Sequence, residues 1–152
     1  MECSSCQALA NKLVLTNAPR LDLDEYWRVE HCYPVVVSGW LVLVLRRHAR
    51  ALHELTASEA AALGRWLPAL TGALHAATGC ELEYVMQFAE GDGFQHVHFH
   101  LVARAHDWPA KFKGPRVFAA WGVTDPISAD EATRVIDAVG VQLGVRPTAV
   151  TE

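Results

Sequence analysis

The sequence has no long apolar run. Its longest, Val35–Leu45, is broken by Ser38 and Gly39 and falls short of the roughly 20 apolar residues that a membrane-spanning helix needs. It also lacks an excess of positive charge: 13 Lys+Arg stand against 17 Asp+Glu, a formal net charge of −4. Sequence-independent nucleic-acid binding draws on a basic surface, so no nucleic-acid partner is expected. Met1-Glu2-Cys3-Ser4 brings neither a basic nor an apolar leader, so no secretory signal is expected and a cytoplasmic location is. Cysteines are few (Cys3, Cys6, Cys32 and Cys80), and without secretion they do not imply a disulfide framework. Repeats, low-complexity tracts and long linkers are missing too. What is left is one globular domain over residues 1–152, 51% apolar and 20% charged.

The patterning gives strands first. Trp27–His31 reads as a short strand, and Val35–Val37 and Trp40–Arg46 read as the two arms of a hairpin turning at Ser38-Gly39. Thr56-Ala57-Ser58-Glu59 is a capping box, opening a helix with Leu63, Trp66, Leu67, Leu70 and Leu74 at helical spacing. Pro68 predicts a kink in it and Gly79 its stop. Residues 82–102 read as a second hairpin around Glu90-Gly91-Asp92-Gly93, and residues 106–126 as loop. Ser128-Ala129-Asp130-Glu131 starts a second helix that ends at Gly144. The expectation is an α+β fold: an antiparallel sheet of about five strands with two main helices packed on it.

Histidine usage carries the chemistry. Three of the 8 histidines fall in His96-Val97-His98-Phe99-His100-Leu101-Val102. On a strand these three share one face, at ~6.6–6.8 Å spacing, with Val97, Phe99 and Leu101 on the other. Aligned imidazoles have no packing logic, since every ring nitrogen needs a partner. Two chemistries fit. Two imidazoles can chelate one metal whose bound water attacks a substrate, or one neutral imidazole can itself be the nucleophile, oriented by its neighbours. Cys3 and Cys6 form a C-x-x-C pair too close to the start for a thioredoxin-like motif, which opens a helix after a strand. Cys32 and Cys80 read as buried small hydrophobes, and His31, His53, His75 and His106 as surface or interface residues.

The run His96–Val102 resembles the H-φ-H-φ-H-φ-φ signature of the histidine triad superfamily without a mismatch. Ser38-Gly39-Trp40-Leu41-Val42-Leu43-Val44-Leu45-Arg46-Arg47-His48 is similar to that family's G-H-x-L-V-x-P-K-x-H strand, and the resemblance covers about residues 1–104. It implies a hydrolase or nucleotidyl transferase acting on a nucleoside phosphate ester, anhydride or phosphoramidate. His98 would attack phosphorus to give a nucleotidyl-histidine, and His100 would line the phosphate site. In the zinc-binding branch of the superfamily the C-x-x-C pair is joined by two histidines, which here are His48 and His96. The resemblance thus implies one structural zinc on Cys3, Cys6, His48 and His96, and a homodimer that extends the sheet across a two-fold axis, with the helix face bearing Trp66 adding contact.

The sequence departs from the pattern in places. The family's G-Q-[ST]-V segment falls on Gly91-Asp92-Gly93-Phe94, so Gly93 occupies the phosphate-binding position and Asp92 adds a carboxylate beside it. The polar substrate-binding side chain of the preceding strand falls on Gln87 or, in an equally fair alignment, on Ala89, and the histidine after the motif glycine is Trp40. An altered phosphate loop leaves two alternatives: a nucleotide- or ligand-binding module with little turnover, and a metallo-hydrolase with His96 and His98 on one catalytic zinc. Arg46, Arg47, Arg50, Arg104, Lys111, Lys113 and Arg116 flank the motifs and could attract an anion.

Overall fold

The computed structural model describes residues 3–122 and 124–150. A short helix α1 (Ser4–Leu9) leads into β1 (Leu21–Asp22), β2 (Trp27–His31) and β3 (Trp40–Leu45). Helix α2 (Ala57–Thr78), β4 (Leu82–Met86), β5 (His98–Arg104) and α3 (Ala129–Leu143) follow. The strands form one sheet in the order β1-β2-β3-β5-β4, and every pairing is antiparallel. The expected α+β architecture is present. No helix among the described residues is long and apolar enough to cross a membrane.

The starts of α2 and α3 are set by local chemistry. The Thr56 hydroxyl accepts from the Glu59 amide while the Glu59 carboxylate accepts from the Thr56 amide at 2.8 Å, so two otherwise unpaired donors are satisfied. The Ser128 hydroxyl accepts from the Glu131 amide at 3.2 Å. Gly79 and Gly144 close the helices in the left-handed conformation. Helix α2 runs unbroken through Pro68.

The sheet has two working faces. On one, Trp27, Val29, Leu41, Leu43, Leu45, Phe99 and Leu101 pack under α2 and α3 with Leu70, Leu74, Ile136 and Val139. Each fully buried aliphatic side chain there contributes roughly 1.5–3 kcal/mol. Trp66 is partly buried against this core, its indole N–H donating to Asp24 at 2.6 Å. The opposite face carries Trp40, Val42, Tyr84, Met86 and Val102, covered by residues 108–120. That covering segment, expected to be loop, contains 3-10 turns at Ala110–Phe112 and Gly114–Ala120 that bury Val117 and Ala120.

Two expectations about strands are corrected. Val35–Val37 is not a hairpin arm: β3 pairs with β2, and the Val35 carbonyl accepts from Ile127 while the Val36 amide donates to Ala120. The segment turns away because the C-terminal stretch offers it backbone partners that β2 already supplies to β3. Gly39 marks the turn back into β3, with φ +83°; a Cβ there would stand 2.9 Å from Ala103 Cβ, so both backbone and space demand glycine. The second correction concerns residues 82–102. Strands β4 and β5 do pair, but β5 begins at His98, and residues 87–97 form a long connection rather than a tight turn.

Candidate functional site

Strand register places the histidines. Val42 faces His100 and Val44 faces His98 across β3 and β5, and Glu30 on β2 faces Val42. This row forms the floor of a cavity of about 380 Å³ whose walls include Leu9, Tyr33, Phe88, Phe94, Phe118 and Trp121. His98 and His100 stand side by side, ring centroids 5.0 Å apart and nearly perpendicular. The His98 Nδ1–H donates to the His96 carbonyl at 2.7 Å. A carbonyl only accepts, so the proton sits on Nδ1 and the Nε2 lone pair is bare. Burial lowers the His98 pKa below the ordinary imidazole value, keeping the ring neutral. Burial, aided by the neighbouring His98, takes His100 down to about 4.

His96 has different surroundings from the other two histidines. It lies two residues before β5, is fully buried, and does not line the cavity. The chain gets there because β3 and β5 keep pairing beyond the sheet: the Leu45 amide donates to Val97 and the Val97 amide to Ala49. That pairing sets His48 beside His96, ring centroids 5.3 Å apart. On the other side, α1 docks through the Ser4 amide, which donates to the Gly93 carbonyl at 2.8 Å, and presents Cys3 and Cys6 to the same point.

The four ligand atoms lie within 4.8 Å of one another. His48 Nδ1 is 3.3 Å from His96 Nδ1, Cys6 Sγ is 3.3 Å from His48 Nδ1, and Cys3 and Cys6 Sγ are 3.5 and 3.6 Å from His96 Nδ1. A tetrahedral zinc with bonds of about 2.3 Å to sulfur and about 2.0–2.1 Å to nitrogen has edges of about 3.6 Å (S–N) and about 3.3 Å (N–N). The donor set therefore fits zinc in type, number and spacing. His96 Nε2–H donates to the Leu45 carbonyl at 2.6 Å, which leaves Nδ1 bare for a metal, as an outer partner of a ligand histidine does. With both nitrogens so engaged, His96 has none to share with His98, and the catalytic-zinc alternative on that pair is not supported by the geometry. A second group, His75, Cys80 and Glu83, also converges, but its 2.6 Å His75–Glu83 contact is a hydrogen-bond length rather than the edge of a metal tetrahedron.

No protein-family model and no curated protein matches the sequence. Solved structures do match. A zinc-bound histidine triad family protein from Mycobacterium smegmatis is 13% identical, with 91% of this chain and 94% of that one covered at a TM-score of 0.67. A hypothetical histidine triad nucleotide-binding protein from Sulfolobus tokodaii is 13% identical over 93% and 92%, at 0.68. A histidine triad protein from Bradyrhizobium japonicum is 23% identical over 82% and 91%, at 0.65. This chain has the histidine triad fold.

Within the histidine triad fold the expected site residues divide into three groups. Cys3, Cys6, His48 and His96 meet at one point, and His98 and His100 meet at the cavity. Gln87 and Gly93 line neither. Gly93 instead holds α1: its φ is +78°, and a Cβ there would come within 3.0 Å of Ser4 Oγ. The flanking cations are spent elsewhere. Arg47 binds Glu59, Arg104 binds Glu81 and Arg50 binds Gln95, and among the described residues no lysine or arginine lines the cavity.

Three features were missed by the sequence reading. His31, expected at the surface, is fully buried; its Nδ1–H donates to the Cys32 carbonyl at 2.9 Å and its Nε2 accepts from the Gly39 amide at 3.1 Å. Glu30 is a buried carboxyl at the cavity floor, lifted above its usual range by burial. Its place in a period-2 strand facing Val42 was the available signal. Trp40 donates its indole N–H to His100 Nδ1 at 3.1 Å.

Proposed function

We propose that the protein is a nucleotide hydrolase or nucleotidyl transferase that works through a covalent nucleotidyl-His98 intermediate. The observation that carries this reading is the His98 Nδ1–H···O=C bond to His96, which leaves a neutral imidazole with its Nε2 lone pair at the cavity. In the first step Nε2 forms a bond to phosphorus as the P–O or P–N bond to the leaving group breaks, and the leaving group departs with the electron pair and takes up a proton. The His96 carbonyl stabilises the positive ring that results. In the second step water adds to phosphorus, the P–N bond to His98 breaks, and the ring returns to neutral as the water's proton leaves. Catalysis here is positioning plus charge stabilisation, with His100 as the second group at phosphorus.

Zinc on Cys3, Cys6, His48 and His96 has a structural role in this account. Helix α1 has six residues and no side-chain cap at its start, too short to persist alone, and a closed Cys₂His₂ site ties it to the sheet. The protein forms a homodimer through the β4 edge, the end of the sheet where Leu82 and Val85 are exposed; the β1 end is covered by a bridge between Arg20 and Thr148. Pairing that edge removes an aggregation liability. Light scattering at micromolar concentration should give twice the chain mass.

The test of function is intact-mass spectrometry without acid quench after incubation with nucleoside phosphoramidates, anhydrides and esters. A mass gain of one nucleotidyl group (the nucleoside monophosphate less water), abolished in His98→Ala, is the expected result. A specific observation favours the second reading, a binding module with little turnover: Glu30 and Glu90 line the cavity and no cation among the described residues does, so an anion is poorly compensated. Binding without any mass gain supports that reading instead.

A further inference from the structure

Trp40 stands where the resembling motif carries a histidine, and it is fully buried with its ring edge-on to both His100 and Phe118. A buried indole needs a partner for its one donor. That partner is the imidazole nitrogen His100 Nδ1, 3.1 Å away. We propose that Trp40 is a positioning residue that locks His100 in the tautomer with its proton on Nε2, so that the cavity presents one bare nitrogen, on His98, beside one N–H donor, on His100. This rests on the proposed role of the two rings at phosphorus and adds what sets the second of them.

The argument is one of proton counting. A neutral imidazole holds one proton, and a nitrogen that accepts from an indole N–H cannot hold it. His100 is neutral at pH 7, since burial depresses it to about 4. Its proton is therefore on Nε2, the side away from Trp40. His98 is set the opposite way, because its Nδ1–H is fixed on the His96 carbonyl. Two neighbouring histidines thus receive opposite tautomers from two different partners, a carbonyl and an indole. Were His100 protonated on Nδ1, the cavity would show two lone pairs to an anionic phosphoryl oxygen and no donor. Phe118 and Trp121 pack on the His100 ring from other sides, 5.2 and 6.2 Å between centroids. They restrain the ring without choosing its proton.

The experiment is long-range ¹H–¹⁵N NMR on the zinc-loaded full chain with ¹⁵N-labelled histidine at pH 7, in the parent and in Trp40→Phe. In the parent, His100 should show an unprotonated Nδ1 and a protonated Nε2. In Trp40→Phe it should show a mixture of tautomers or a protonated Nδ1, with the His98 signals unchanged. Loss of a partner that fixes a functional ring should lower turnover of adenosine 5′-phosphoramidate by roughly 10–100-fold. A protonated Nδ1 in the parent overturns the proposal, and so does an unaltered His100 pattern in Trp40→Phe. If the variant does not fold, the parent alone decides, through coupling across the hydrogen bond between the indole N–H and Nδ1: its presence supports the proposal and its absence overturns it. These signals do not depend on catalysis, so failure of the nucleotidyl-His98 reading and failure of this one are separately visible.

Discussion

His96 and His98 are two residues apart and have opposite fates. His96 sits just before the strand, fully buried, with one nitrogen on the Leu45 carbonyl and the other among Cys3, Cys6 and His48. His98 opens the strand, with one nitrogen on the His96 carbonyl and the other facing the cavity. The same side chain is a candidate metal ligand at one position and a candidate nucleophile two residues on. What differs is the nitrogen that a carbonyl holds: the Leu45 carbonyl takes His96 Nε2, and the His96 carbonyl takes His98 Nδ1. Which carbonyl each imidazole meets thus decides which of its nitrogens is left bare.

The sharpest break of this contrast is His98→Ala. It should abolish turnover while zinc content and folding stay intact, checked by product assay beside metal analysis. Next in size is the Cys3→Ser/Cys6→Ser double variant, which should lose zinc and lower the melting temperature by scanning calorimetry; structural zinc in small domains contributes on the order of 10 kcal/mol at pH 7. Full zinc occupancy in that variant would rule out this ligand set. His100→Ala leaves both ends built and removes one donor, so turnover should fall by roughly 10²–10³-fold.

The α2 and α3 caps, the strand patterns and the triad itself were legible because each is local: hydroxyl and carboxylate three residues apart, or alternation along a strand. What was not legible is what depends on distant partners. Helix α1 has no side-chain cap, and its place comes from the Gly93 carbonyl. Val35 and Val36 bond to Ile127 and Ala120 instead of pairing in the sheet, and His31 is buried because the turn at Gly39 folds back onto it. Val97 joins Phe99 and Leu101 in the core as the alternation predicts, but nothing in the sequence marks that β5 begins only at His98. Residues 108–120, without periodicity, prove to cover the sheet face that holds the cavity floor.

Acid should separate the two ends of the molecule in milder ways. Burial lowers the pKa of His31, His98 and His100 below the ordinary imidazole value, so the unfolded chain binds protons that the folded chain does not. Their contribution to stability is fully present above pH ~6.5 and is lost as pH falls below it toward the folded values. Melting temperatures between pH 8 and pH 5 should fall with acid, and His31→Gln should flatten the curve. Glu59 acts lower on the scale: the Arg47 guanidinium holds it down to about 2, so its contribution is present above its ordinary 4.5 and lost as pH falls toward 2. Glu59→Ala should cost about 1–2 kcal/mol through the lost cap. Arg47 also donates to the His48 carbonyl, so that variant should loosen the zinc end and leave the cavity unchanged, which denaturant melts and metal retention would show together.

Native mass spectrometry of the parent, His96→Ala and His98→Ala after incubation with adenosine 5′-phosphoramidate reads zinc and covalent nucleotide in one spectrum. The division of labour between neighbouring histidines predicts one zinc per chain and a nucleotidyl adduct in the parent. It predicts zinc without adduct in His98→Ala, and loss of zinc in His96→Ala. An adduct that survives in His98→Ala, or zinc that leaves with His98 and stays without His96, would contradict it.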